Sequence, residues 1–247
     1  MATAWFGPSR DWISKHRTEH PSAKTILLTG ATGGIGLAVA RRLLSSSDEH
    51  LLIVTGRNID VLRQLEREHP DRVRAVQCDM ADLGQIAGLM AGNKGEEWEG
   101  VFKVNVTSCV VTISEALPWL RQAKGRIIFT SSGAAQNAYP SWGAYGASKA
   151  AINHLTMTLK NEEPDVTTVA IRPGVVDTAM QKDIRESFLS NMDEKDQQKF
   201  RSAKEDGKLL PPEKPGNIIA ELAVSAEKEL SGSFLSWDDP KLKDYVK

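Results

Sequence analysis

Only two cysteines, Cys78 and Cys109, occur in 247 residues, with neither CxxC spacing nor the number that a disulfide framework needs. That scarcity fits a reducing compartment, and the cytoplasm is the expected location. Neither sign of charge predominates: 31 Lys and Arg stand against 32 Asp and Glu, a formal net charge of −1. The basic excess that would argue for nucleic acid or an acidic membrane is missing, so the expected partner is a small molecule, with no nucleic acid and no membrane. No unbroken apolar run reaches the ~18 residues of a membrane-spanning helix, and the N-terminus has no apolar core of the secretory kind. The five histidines, His16, His20, His50, His69 and His154, form no ligand-spaced cluster with cysteines or carboxylates, so no metal is expected.

What is present suits a single α/β domain over residues 24–247, with 40% of the chain hydrophobic. Residues 1–23 read as an extension. They mix Trp and Phe with bases and break at Pro8 and Pro21, while Asp11 and Glu19 spoil a mitochondrial presequence, so a poorly ordered tail is expected. From Thr25 onward, short β-branched runs alternate with helical stretches, the pattern of parallel βαβ units. Thr25–Thr29, Leu51–Val54, Val73–Val76, Arg126–Thr130 and Thr167–Ile171 read as strands covered on both faces. Helices are expected to begin near Ile35, Ile59, Leu83, Glu96 and Ala144, with Asn58 and Asp82 placed to cap first turns. The charged stretch Met180–Lys214, broken by Gly207, Pro211 and Pro212, reads as a mobile helical excursion of the kind that covers a substrate. A helix over Asn217–Ser225 and a strand over Ser233–Ser236 close the sheet.

Directly after the first strand comes Thr29-Gly30-Ala31-Thr32-Gly33-Gly34-Ile35-Gly36, then a helical run. A pyrophosphate can approach backbone only where Cβ atoms are absent, and the amides and dipole of a helix start favour its charge. The Gly-x-x-x-Gly-x-Gly spacing resembles the TGxxxGIG motif of short-chain dehydrogenases/reductases. Where the second strand ends, the sequence gives Thr55-Gly56-Arg57 instead of a carboxylate for a ribose hydroxyl. Arg57 can pair with a 2′-phosphate, which favours NADPH over NADH; an exposed loop arginine is the alternative. Asp79 matches the family's adenine-contacting aspartate, or caps a turn.

Tyr145-Gly146-Ala147-Ser148-Lys149 places a phenol and an ammonium four apart, so on a helix they leave the same face. The ammonium stabilises a phenolate and lowers the phenol pKa from about 10, which makes proton donation feasible. Of three tyrosines, only Tyr145 fits this YxxxK pattern. Ser132, thirteen residues upstream, resembles the family's carbonyl-orienting serine, with Ser131 as the alternative. Asn105 matches the helix asparagine that holds a water in the relay to the lysine. Arg172-Pro173-Gly174-Val175-Val176-Asp177-Thr178 resembles the PGxVxT segment bordering the nicotinamide. The resemblance thus implies a Rossmann-type doubly wound sheet and a catalytic set of Ser132, Tyr145, Lys149 and Asn105. It implies NADPH contacts at Gly30, Thr32, Gly34, Ile35, Gly36, Arg57, Asp79, Asn105, Tyr145, Lys149, Pro173, Gly174, Val176 and Thr178. The stretches around Tyr145, Thr178 and Trp237 look like fungal members similar to benzil and sepiapterin reductases. They imply a ketone, α-diketone or pterin-like substrate with Trp142, Met180 and Trp237 as candidate walls. The long helices imply a homodimer or homotetramer.

One element of the family pattern is missing. Members place a fourth strand ending in an Asn-Ala-Gly motif between the adenine aspartate and the helix asparagine. Only 25 residues separate Asp79 from Asn105, and they contain no β-branched apolar run. Loss of a central strand removes ladder hydrogen bonds and part of the cofactor floor. Three readings follow: an active reductase, a cofactor-binding or interaction protein without turnover, or a sequence that lacks a segment near Gly92–Glu96.

Overall fold

The apolar runs that alternate with helical stretches fold as parallel strands. The structure, a computed structural model, describes residues 10–46, 48–77, 95–140, 142–188 and 194–246. The chain divides into two units, Met1–Met80 and Ala81–Lys247, and each carries one three-stranded parallel sheet.

In the first unit β1 (Thr25–Leu28), β2 (Leu51–Gly56) and β3 (Val73–Gln77) pair in the order β1-β2-β3, with α2 (Gly34–Leu44) and α3 (Ile59–Glu68) as the connections. β2 lies between two partners, and Leu51, Leu52 and Val54 are completely buried. Asn58 caps α3 as expected, its side chain accepting from the Asp60 and Val61 amides at 3.1 and 3.3 Å. The Arg72 guanidinium closes the other end of α2: it donates to the Leu44 and Leu43 carbonyls at 3.0 and 3.2 Å and to the His50 carbonyl at 3.2 Å. Arg10–Glu19, inside the leading stretch expected to be poorly ordered, form helix α1 (Arg10–Glu19). Its side chains find partners on the sheet side. His16, 7% exposed, donates from Nε2 to the Glu49 carbonyl at 2.7 Å, and the Arg74 guanidinium lies 4.2 Å from the Trp12 ring centre.

The second unit begins with α4 (Gly95–Phe102), a π turn over Lys103–Thr107 and α5 (Ser108–Ala123), which run on as one long helix. Then follow β4 (Arg126–Thr130), a 3₁₀ turn over Gly133–Ala135, α6 (Gly143–Glu162) and β5 (Thr167–Arg172). The excursion contains α7 (Ala179–Asp183), a second π turn over Ile184–Phe188 and α8 (Glu194–Glu205). α9 (Glu213–Ser225) and β6 (Ser233–Ser236) complete the sheet, ordered β4-β5-β6. Phe129, Ile152, Leu159 and Ala170 form its core, with Cys109, Ile113 and Phe234 packed around them. Burial raises the Cys109 thiol pKa, which the Lys149 charge and the Ser108 hydroxyl only partly offset.

Two-sided burial holds for β2 and β5 but not for every expected strand. Leu27 on β1 is 45% exposed, and three of the five β4 residues are half-buried. The reason is their position: among the described residues β1 and β4 each pair with one strand only. The 26-residue helical stretch Trp98–Ala123 contains an 18-residue window of mean hydropathy 1.2, so by length and composition alone it could cross a membrane. Val111 and Trp119 on it are each 56% exposed, and Met157 on α6 is 49% exposed. The expected loss of a fourth strand, the helix expected from Leu83, the Asp82 cap and Asp79 all fall at 78–94, outside the described residues.

Candidate active site

The glycine turn has the shape that a phosphate requires. A Cβ built at Gly36 would overlap the Gly30 carbonyl oxygen, so the first helical turn can approach the strand end only as glycine. Gly30 and Gly34 have φ of +69° and +50°, in the left-handed region. Thr32 packs on Gly56, where a Cβ would meet its methyl at 2.5 Å. That contact, with the Ala31 amide donating to the Thr55 carbonyl at 2.9 Å, ties the turn to the end of β2. At the start of α2 the cap residue is Gly33, no side chain caps the amides, and the first turn holds no acidic residue. Free amides with the positive end of the helix dipole make an anion site, so a dinucleotide pyrophosphate fits Gly30, Thr32, Gly34, Ile35 and Gly36. Arg57 follows β2 directly, is exposed, and has no carboxylate partner among the described residues.

The second unit brings Ser132, Tyr145, Lys149 and Asn105 onto neighbouring elements. Tyr145 and Lys149 share one face of α6, with the ammonium 5.7 Å from the Tyr145 ring centre. Lys149 Nζ also donates to the Thr130 carbonyl at the end of β4, at 2.9 Å. The two adjacent serines part company, as successive residues of extended backbone must. Ser131, 2% exposed, spends its hydroxyl on Asn153 Oδ1 at 2.7 Å. Ser132 accepts from the Ala134 amide at 3.1 Å, which leaves its own hydrogen for another acceptor. Of the two serines left open by the sequence, Ser132 is the one able to donate.

Asn105 sits in the middle of the first π turn. Its amide donates to Ser148 Oγ at 2.9 Å, and Ser148 donates to the Tyr145 carbonyl at 2.8 Å, so the asparagine is attached to the tyrosine's own helix. The aromatic neighbours are also in place: Trp142 meets Tyr145 edge-on at 5.6 Å and Tyr139 at 5.4 Å. Pro173, Gly174, Val176 and Thr178 leave the end of β5, with Gly174 at φ +81° under Leu210 and Trp237. The excursion returns there, since Val176 bridges to Leu210 and Lys204 pairs with Asp177 at 3.0 Å. Met180 is half-buried on α7.

Sequence reading missed two close approaches. A Cβ at Gly146 would lie 2.8 Å from the Ala134 carbonyl oxygen, so the residue after Tyr145 must be small for α6 to seat on the Ser132 turn. The Arg172 guanidinium packs on Gly133, where a Cβ would meet Nε at 3.0 Å. Glycines at 133 and 146 were the only available signal, and they point nowhere until the partner element is known.

The short chain dehydrogenase family model matches residues 24–95 and 87–188, two pieces that meet at 87–95. Benzil reductase ((S)-benzoin forming) of Saccharomyces cerevisiae is 34% identical over 257 residues, 89% of this chain and 97% of that protein. A short chain dehydrogenase/reductase from the same yeast superposes with a TM-score of 0.84 at 32% identity, over 91% of this chain and all of the other. A second S. cerevisiae structure, described as a cytoplasmic protein with unknown function, gives 0.75 at 31% identity over 91% and 100%. The Rossmann-type single-domain α/β class expected from the glycine turn is the class of these structures. The chain belongs to the short-chain dehydrogenase/reductase family and is an oxidoreductase with benzil reductase among its relatives.

Proposed function

We propose that the protein is an NADPH-dependent reductase of ketones and α-diketones, acting in the cytoplasm. When bound, the reduced nicotinamide supplies hydride to the carbonyl carbon. The chain's own residues do the rest. Tyr145 gives a proton to the developing oxyanion, and Ser132 hydrogen-bonds that oxygen. Lys149 holds positive charge beside the phenol and contacts the ribose. Gly30, Thr32, Gly34, Ile35 and Gly36 hold the pyrophosphate, Arg57 the 2′-phosphate, and Pro173, Gly174, Val176 and Thr178 border the nicotinamide. Asp79 would face the adenine. The observation that supports this reading is the seating of the turn that begins at Ser132 on Gly146, which packs that turn against the helix carrying Tyr145 and Lys149. Identity to a yeast benzil reductase favours a diketone substrate. The exposed Val111, Trp119 and Met157 on the long helices favour a homodimer or homotetramer. The test is NADPH consumption by purified protein with benzil. Turnover that survives Tyr145→Phe would remove the assigned acid.

A second reading, a protein that binds NADPH without turnover, is favoured by one observation. The benzil reductase alignment spans 257 residues, whereas 89% of this chain is about 220, so about 37 aligned positions have no counterpart here. The family match comes as two pieces that overlap at 87–95, within the stretch where the sequence has no β-branched apolar run. A chain with the segment restored from the genomic nucleotides should turn over faster than this one. Equal rates would dispose of the second reading.

A further inference from the structure

The π turn over Lys103–Thr107 shifts its carbonyls out of the ordinary ladder of the long helix. Side chains four residues on take two of them. The Ser108 hydroxyl donates to the Val104 carbonyl, and the Cys109 thiol donates to the Asn105 carbonyl at 3.3 Å. Braced in this way, the turn delivers the Asn105 amide to α6, where it donates to Ser148 Oγ at 2.9 Å.

Ser148 is 0% exposed, so its hydroxyl depends on protein partners alone. It accepts from Asn105 and gives its one hydrogen to the Tyr145 carbonyl at 2.8 Å. In α6 that carbonyl is the acceptor for the Lys149 amide, so it closes the single turn that spaces the phenol from the ammonium. A second donor on the same oxygen bends the turn, and it comes from a residue whose own bond originates on another helix. Donors and acceptors in such a chain strengthen one another. The far side of the pair is held separately, by Lys149 Nζ donating to the Thr130 carbonyl at 2.9 Å.

We propose that Ser148 is a positioning residue of the reduction: through the Tyr145 carbonyl it passes the position of the Asn105 turn to the phenol that gives the proton. This rests on the reductase reading above, since it requires Tyr145 to act as the acid. Ser148 touches neither substrate nor cofactor in this role. It acts through the backbone that aims the tyrosine, and a displacement of about 1 Å at a reacting group can cost on the order of a hundredfold in rate.

The test compares Ser148→Ala in two backgrounds, with NADPH and benzil and with protein in excess, so that slow residual rates are read in a single turnover. With Tyr145 present, Ser148→Ala should lower kcat by about ten- to a hundredfold and leave KM within about threefold. With Tyr145→Phe already in place, the same change should alter the rate by no more than about twofold, because the group it aims is gone. Ser148→Cys keeps the volume filled and can still donate and accept, more weakly, so its rate should lie between those of the serine and alanine proteins. It carries the same two-background comparison if the alanine protein does not fold. Equal losses in the two backgrounds, a loss that falls on KM instead of kcat, or a cysteine protein no faster than the alanine one would overturn the positioning role. If the unaltered protein turns over no diketone, the reductase reading fails and this inference falls with it; turnover with equal losses sinks the inference alone.

Discussion

Asn105 donates a 2.9 Å hydrogen bond to Ser148, 43 residues further along the chain. Ser148 is completely buried and passes the connection to the Tyr145 carbonyl, so the π turn of the long helix and the tyrosine's turn of α6 are held together. Ser148→Ala removes the hydrogen-bond partner of the half-buried asparagine amide. It should lower stability by about 0.5–1.5 kcal/mol, read from urea unfolding. Because the pair acts as a unit, Asn105→Ala in the same chain should add little, and additive losses would show that the two do not interact.

Tyr145→Phe removes the acidic hydrogen and little else. Loss of a general acid is expected to lower kcat by roughly 10²–10⁴-fold. NADPH affinity, followed by nucleotide fluorescence, should fall far less, since the proposed reading puts the pyrophosphate and 2′-phosphate contacts on other residues.

Arg57→Ala should weaken NADPH binding by roughly ten- to a hundredfold, the scale of a charge-assisted contact, and leave NADH nearly unaffected. Titration of both nucleotides checks this, and equal losses for the two would remove Arg57 from the 2′-phosphate.

How much of this was legible beforehand follows from the range of each interaction. The glycine turn, the Asn58 cap and the Tyr145–Lys149 pair are local patterns, and the structure places them as the spacing requires. Strand limits came within one or two residues for the same reason. Ser132 was preferred from its distance to Tyr145, whereas the engagement of the Ser131 hydroxyl needed Asn153, which lies 22 residues beyond Ser131. Gly146 needed the Ala134 carbonyl, and the role of Arg72 needed the end of α2. Helix α1 was not legible, because its support comes from Glu49 and Arg74, and neither residue signals a helix upstream.

Arg121 and Glu163 supply a pH dependence. The guanidinium at the end of α5 forks onto the carboxylate after α6, with Nε–Oε2 at 2.7 Å and Nη2–Oε1 at 2.5 Å. These hydrogen bonds, and next the partner charge, hold the Glu163 carboxyl below its ordinary range. A depressed carboxyl pKa stabilises the fold above the unfolded value of about 4.3, and the effect is lost as pH falls through the folded pKa. Acid titration of unfolding should therefore show a steeper loss in the unaltered protein than in Glu163→Gln. Superimposable acid limbs would remove the pair from the pH response.

Trp237 follows the last strand by one residue, yet its indole nitrogen lies 3.1 Å from where a side chain on Gly174 would begin. Its backbone amide, moreover, donates to the Arg172 carbonyl at 2.9 Å. The exit of the last strand is therefore stitched to the Arg172–Gly174 loop, which the proposed reading places beside the nicotinamide. A truncation before Trp237 would act on that loop as directly as a change made inside it.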